Sequence, residues 1–196
     1  MDKDFLLQNY GALHGPEAGP WNLSAEQKYL DYRITAFFEE NFPVPQGADL
    51  CNVGIGAGYW DRYLSYQLKG GTLTSIDRDS ECCRALAEGL ENEQNPNPVT
   101  ILARDVMDCG DLTGRFDLVT MVGSTRMESG LFQDILKMLF DFLKPGGSLY
   151  YQSLDGKEDR MEVEALCREN GMTPEKYEHD TGYGRSAHYW KITKPV

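Results

Sequence analysis

Apolar positions along the chain switch repeatedly between a helical and an extended period. From Ser24, "SAEQKYLDYRITAFFEENFP" places Leu30, Ile34, Phe37 and Phe38 on one helical face, with Ser24 and Gln27 spaced as a capping box and Pro43 beyond the end. The short apolar run beginning at Ala48 predicts a strand that leads into Gly54, Gly56 and Gly58. After the glycines, "YWDRYLSYQLK" stacks Trp60, Leu64 and Leu68 at helical spacing until Gly70 and Gly71 stop it, and "TLTSID" predicts a strand ending at Asp77. The alternation continues through a helix "DSECCRALAEGLENE", a strand "VTILARD" ending at Asp105, and a strand "FDLVTMVGS". Next come a helix from about Met127 to Leu143, broken by "LKPGG", the strand "SLYYQSL", and a helix over about 158–170. Two strand-like runs, "TPEKYEHD" and "AHYWKITK", are joined by the glycine-containing "TGYGRS", a hairpin signature.

Strands separated by helices imply right-handed crossovers. The expectation is therefore a doubly wound α/β fold: a mainly parallel seven-stranded sheet, helices on both faces, and a C-terminal antiparallel β-hairpin. Ahead of the first helix, "NYGALHGPEAGPWNL" mixes Gly and Pro with aromatics and reads as an irregular arm over residues 1–23. With 196 residues and no linker or repeat, one domain is expected.

Composition narrows the partners. A net charge of -12 gives a mostly negative surface that repels a phosphate backbone, and Lys and Arg are interleaved with acids, so no nucleic-acid partner is expected. No stretch approaches the roughly 18 apolar residues of a membrane span, and no signal-peptide core is seen, so a cytoplasmic protein with no membrane partner is expected. Cys51, Cys82, Cys83, Cys109 and Cys167 are odd in number and form no CxxC pair, which argues against a disulfide framework and a zinc site; no metal is expected. Cys82 and Cys83 sit early in a predicted helix, where the dipole favours thiolate, and so retain a reactive reading beside the buried one.

The chemistry-bearing residues fall at strand ends, where open α/β sheets bind ligands. Gly54, Gly56 and Gly58 allow close backbone approach. Asp77 lies 19 residues past Gly58, the usual place of an acid that holds ribose hydroxyls. A dinucleotide fingerprint GxGxxG would need glycine at position 59, where the chain has Tyr59; the spacing is GxGxG, which argues against NAD.

The ordered pieces "NVGIGAG", "LTSID", "ARDVMD", "FDLVTMVG" and "LKPGG", across about Ala48 to Tyr151, resemble the class I S-adenosylmethionine (SAM) dependent methyltransferases. The resemblance implies a single such domain and SAM as cofactor, with S-adenosylhomocysteine (SAH) as product. It implies that Asn52 to Gly58, including Gly54 and Gly56, cradle the methionine part. Asp77 would hold the ribose, Arg78 would lie along the adenine, Asp105 would accept from the adenine amino group with Val106 beside it, and Val122 and Gly123 would line the floor. The family usually carries Asp or Glu where this chain has Asn52. One reading is a weakened or retuned hydrogen bond to the cofactor's cationic amino end; the other is that Asn52 stabilises the glycine turn.

Methyl transfer needs mainly alignment in a site that excludes water. No catalytic residue is marked by a motif. His14 and His179 are the base candidates, with His188 behind them, and Tyr10, Trp21, Tyr29, Tyr32, Tyr177 and Tyr183 are candidates for an acceptor wall. The NPPY or DPPY motif of many nucleic-acid and protein amino-group methyltransferases is absent, "MVGSTRM" standing in its place, so a small-molecule acceptor is expected. A catalytically inactive SAM-fold binding or regulatory protein, and another enzyme on the scaffold such as an aminopropyl transferase, are the alternatives. Neither the acceptor nor the oligomeric state is legible.

Overall fold

A computed structural model describes residues 24–123, 130–154, 160–184 and 186–196. The arm over residues 1–23, with Tyr10, His14 and Trp21, lies outside the described residues, as does the expected helix start at Met127.

Seven strands form one sheet in the order β3-β2-β1-β4-β5-β7-β6. They are β1 (Asp49–Val53), β2 (Thr72–Asp77), β3 (Val99–Ala103), β4 (Phe116–Val122), β5 (Leu143–Leu154), β6 (Thr173–Asp180) and β7 (Ala187–Thr193). β1 to β5 pair in parallel, while β7 lies antiparallel to both β5 and β6. The described helices are α1 (Ala25–Asn41), α2 (Tyr59–Gln67), α3 (Ser80–Asn92), α4 (Phe132–Phe142) and α5 (Arg160–Glu169). The chain reverses direction across the sheet between β1 and β4, the switch point where doubly wound sheets bind ligands.

Strand alternation sends successive side chains to opposite layers. Leu50, Leu73, Leu118, Tyr150 and Tyr189 join α1 and α2 in one core, with Phe37, Phe38 and Phe42 packed on Tyr150 at ring-centroid distances of 5.1–6.0 Å. Cys51, Val119, Met121, Tyr151 and Trp190 face the other way, onto α4 and α5. The Tyr150 hydroxyl donates to the Ile34 carbonyl at 3.0 Å, pinning α1 across the sheet.

Three local expectations are corrected. Ser24 accepts from the Gln27 amide at 3.0 Å as half a capping box, but Gln27 Nε2 donates forward to Asp31 at 2.7 Å, and Gln27 Oε1, the atom that would accept from the Ser24 amide, makes no hydrogen bond. β3 stops at Ala103: the Asp105 carboxylate accepts from the Met107 amide at 2.9 Å and starts a short 3-10 turn, so the side chain competes with the ladder. "LKPGG" belongs to β5, which begins directly after α4 and slips register opposite Phe116 and Leu118.

The turn from α2 into β2 leaves no room for a side chain at Gly71, where a Cβ would stand 1.9 Å from the Ala48 carbonyl oxygen. Gly71→Ala is expected to destabilise the protein by about 3 kcal/mol, the upper range of overpacking, because backbone cannot yield as a side-chain tip can. Urea unfolding of the two proteins measures it.

Candidate functional site

The glycine loop is held by hydrogen bonds from β2, one of the two neighbours of β1 in the sheet. Gly54 N–H extends the β1–β2 ladder by donating to Ile76 O at 2.9 Å. One oxygen of Asp77, the last residue of β2, accepts from the amides of Ile55 at 2.7 Å and Gly56 at 3.3 Å; the other accepts from Asp79 at 2.9 Å. Gly54, Gly56 and Gly58 have φ of +88°, +51° and +75°, a region that a side-chain-bearing residue enters only with strain.

The glycines divide the work. Gly54 and Gly56 are half-exposed on the outer side of the loop. Gly58 is buried: it is the residue from which α2 starts, and a Cβ there would press to 3.3 Å from Leu86 of α3. Its left-handed φ at the start of α2 and its packing against Leu86 both call for glycine.

Beneath the loop lies a polar cluster with no exposure. Asn52 and Asp61 are both fully buried. Asn52 Nδ2 donates to Asp61 Oδ1 at 2.9 Å and to Gly54 O at 3.1 Å, while Asn52 Oδ1 accepts from the Thr120 hydroxyl at 2.7 Å. Trp60 Nε1 in turn donates to Thr120 Oγ1 at 3.1 Å. Asn52 thus sits under the cradle with its amide oriented by three bonds, an arrangement that supports the turn-stabilising reading.

Asp61 escaped sequence reading, although its spacing carried a signal: Asp61, Leu64 and Leu68 recur at i, i+3 and i+7, and all three are buried, whereas Trp60, expected on that face, is half-buried. Burial pushes the Asp61 carboxyl up to about 6, against the lowering influence of Ser75 and Asn52. Asp61 Oδ2 and Ser75 Oγ form no hydrogen bond that meets geometric limits, so the Ser75 hydroxyl helps the carboxylate only as a nearby dipole.

The remaining expected residues stand at the same carboxyl edge. Asp77 pairs in register with Ala103, two residues before Asp105. Arg78 and Asp105 are exposed, Val106 is buried, and Val122 is half-buried at the end of β4. Gly123 N–H is held by Gln152, through the carbonyl at 3.2 Å and Oε1 at 2.9 Å.

Farther along the edge, α1 is fastened to the hairpin. Asp180 Oδ2 accepts from Tyr29 at 2.8 Å and Arg33 Nε at 2.7 Å, its Oδ1 accepts from Gly182 N at 2.7 Å, and Arg33 also reaches Glu178 at 3.0 Å. Burial works to raise the Asp180 carboxyl, but these donors hold it below the usual carboxylate range. On the opposite face, His179 Nε2 and Ser186 Oγ are 2.8 Å apart, the His179 ring stacks on His188 at 4.5 Å, and His188 Nδ1 meets the Tyr177 hydroxyl at 2.9 Å. His179 is exposed and His188 is buried. Tyr29 and Tyr183 are ring neighbours at 5.3 Å, and Tyr32 is exposed.

Cys51, Cys82, Cys83, Cys109 and Cys167 are buried and in no disulfide, and burial pushes the Cys83 thiol up, which removes the reactive reading of that helix start. Among the described residues no His, Cys, Asp and Glu group could hold a metal, and no helix is long and apolar enough to cross a membrane.

Comparison with known proteins agrees with this geometry. Residues 51–147 match the family described as a methyltransferase domain. A search of curated proteins finds no match. Among solved structures, the chain resembles the cyclase SpnF with 14% identity and a TM-score of 0.75, over 89% of this chain and 84% of that one. A SAM-dependent methyltransferase from Aquifex aeolicus has 18% identity and a TM-score of 0.66, over 98% of each chain. A Haemonchus contortus phosphoethanolamine N-methyltransferase, solved with phosphomonomethylethanolamine and SAH, has 12% identity and a TM-score of 0.72, over 100% of this chain and 59% of that one. At these identities the likeness is one of fold.

The raised Asp61 pKa has a signed consequence for stability. The folded state holds this proton at higher pH than the unfolded chain does, so stability falls as pH rises from about 4 through 6, by on the order of 3 kcal/mol for a shift of this size. Asp61→Asn is therefore expected to raise the thermal midpoint at pH 8 and to leave it nearly unchanged at pH 4. Calorimetric melts of both proteins across that range decide it.

Proposed function

Because residues 51–147 belong to the class I, SAM-dependent methyltransferase family, we propose that the protein transfers a methyl group from SAM to a small-molecule acceptor. The observation that carries the reading is the glycine loop at the switch point, with Gly54 and Gly56 half-exposed and the Ile55 and Gly56 amides gathered onto Asp77. These residues fit the cofactor by chemistry: a side-chain-free backbone for the methionine part, and carboxylates at the next two strand ends, Asp77 and Asp105, for ribose hydroxyls and an adenine amino group. Arg78 and Val122 would flank the same molecule, with Val106 behind Asp105. Bound there, SAM supplies an electrophilic methyl group on a sulfonium.

What the chain itself contributes is orientation and exclusion of water. The rigid loop and the Gln152 bonds to Gly123 fix the floor, and the α1–hairpin clasp of Tyr29, Arg33 and Asp180 forms a fixed wall on the acceptor side. A strongly acidic chain whose clasp carries the paired rings of Tyr29 and Tyr183 suits a small acceptor better than a polyanion. His179, exposed and hydrogen-bonded to Ser186 on the face of β6 opposite this clasp, is the described base candidate and would serve an acceptor that reaches round the strand end.

Titration calorimetry with SAM and SAH tests the reading, and a protein that binds neither would remove it. Asp77→Ala should weaken SAH binding at least about tenfold, since it loses a ribose acceptor and releases two loop amides. With an acceptor found by mass-spectrometric screening of amines, phenols and carbon acids, His179→Ala should lower kcat by about a hundredfold while leaving SAM affinity unchanged. An unchanged kcat would exclude a base role for His179.

A further inference from the structure

We propose that Asp61 is a positioning residue that supplies, from beneath the glycine loop, the carboxylate that position 52 does not carry, so that Asn52 and Asp61 act as one exchanged unit. The proposal rests on the reading of this loop as the SAM cradle.

Three observations lead to it. First, Asn52 must be both donor and acceptor: its Nδ2 serves Asp61 and Gly54 O, and its Oδ1 serves Thr120. An Asp at 52 would aim lone pairs at the Asp61 carboxylate and the Gly54 carbonyl, so the acid usual in the family and Asp61 exclude each other. Second, Asp61 is buried, and no cation among the described residues pairs with it. The titratable groups that act on it or feel it are Asp77 of β2, Cys51 of β1 and Cys83 of α3, none of which is positive at neutral pH. A lone buried carboxylate is costly, and an asparagine would keep the hydrogen bond to Asn52 without that cost. Third, the charge sits in the first turn of α2, directly after the loop, where the helix N-terminus favours it and where a cationic ligand across a thin, side-chain-free backbone would be attracted. Asp61 thus acts on the ligand twice, by fixing Asn52 and through it the Gly54 carbonyl, and by its field.

The pair is tested with Asp61→Asn, Asn52→Asp and the double exchange, each measured for thermal midpoint and for calorimetric affinity toward SAM, which carries a sulfonium, and SAH, which does not. Asp61→Asn should melt higher than wild type at pH 8 yet bind SAM about tenfold more weakly, with a smaller loss for SAH. Asn52→Asp should lose both stability and affinity. The double exchange should bind SAM more tightly than Asn52→Asp alone, because an amide at 61 donates back to the carboxylate at 52, while Gly54 O still lacks its donor. Tighter SAM binding by Asn52→Asp alone would overturn the proposal, as would an equal loss of SAM and SAH affinity in Asp61→Asn. If the wild type binds neither ligand, the cradle reading fails, while the pairing is still decided by the four melting points: additive shifts would overturn it.

Discussion

The carboxylate of Asp77 is the fixed point on which the described site depends. A strand's last residue turns one oxygen toward two amides of the neighbouring loop, and the loop takes its shape from that oxygen. The register makes this possible: β1 and β2 run side by side from Asp49 and Thr72, so Asp77 stands one step beyond Val53's partner, Ile76, as the loop begins. An amide lost from this arrangement would be left on the rim of the sheet, and buried or half-buried amides without acceptors are costly. A hydrogen-bonded loop of left-handed glycines can therefore be rigid even though glycine is the most permissive residue.

Below that loop the structure accepts a cost. Hydrophobic packing surrounds Asn52, Asp61, Ser75 and Thr120, all with no exposure, and one oxygen of Asp61 lacks a hydrogen bond. Local strain and unsatisfied charge persist where the surrounding fold overdetermines them, and they gather at functional positions. The clasp at Asp180 is the contrast: its carboxylate has three donors and is stabilised by them. Two buried or half-buried acids in one domain therefore respond to pH in opposite senses, one raised by desolvation and one lowered by its partners.

Most of the architecture was legible because it rests on periodicity and punctuation. The five crossover strands, the terminal hairpin and the apolar face of α1 follow from patterns that tertiary contact reinforces. The misplaced end of β3 has a local cause, the cap that Asp105 makes on the following turn. The site was legible where glycine and acid fall at strand ends, since backbone geometry demands those residue types. The roles of Asn52 and Gly58 were not, because a side chain's choice between ligand and interior depends on what packs over it. Here these are Asp61 and Thr120 over the one and Leu86 over the other, residues 9 to 68 positions away for Asn52.

The strand order also bears on how the wall of the site comes into being. Among the described strands β6 pairs only with β7, which follows it in the chain and is inserted between β5 and β6. β6 therefore has no place on the sheet until its successor arrives. The clasp from Arg33 to Asp180 then spans 147 residues of sequence. Contacts that distant bear a large loop-closure cost and form late. During synthesis the cofactor side of the sheet, β1 to β4, can assemble while the acceptor side is still missing, so the final hairpin is the step that converts a cleft open on one flank into a bounded one.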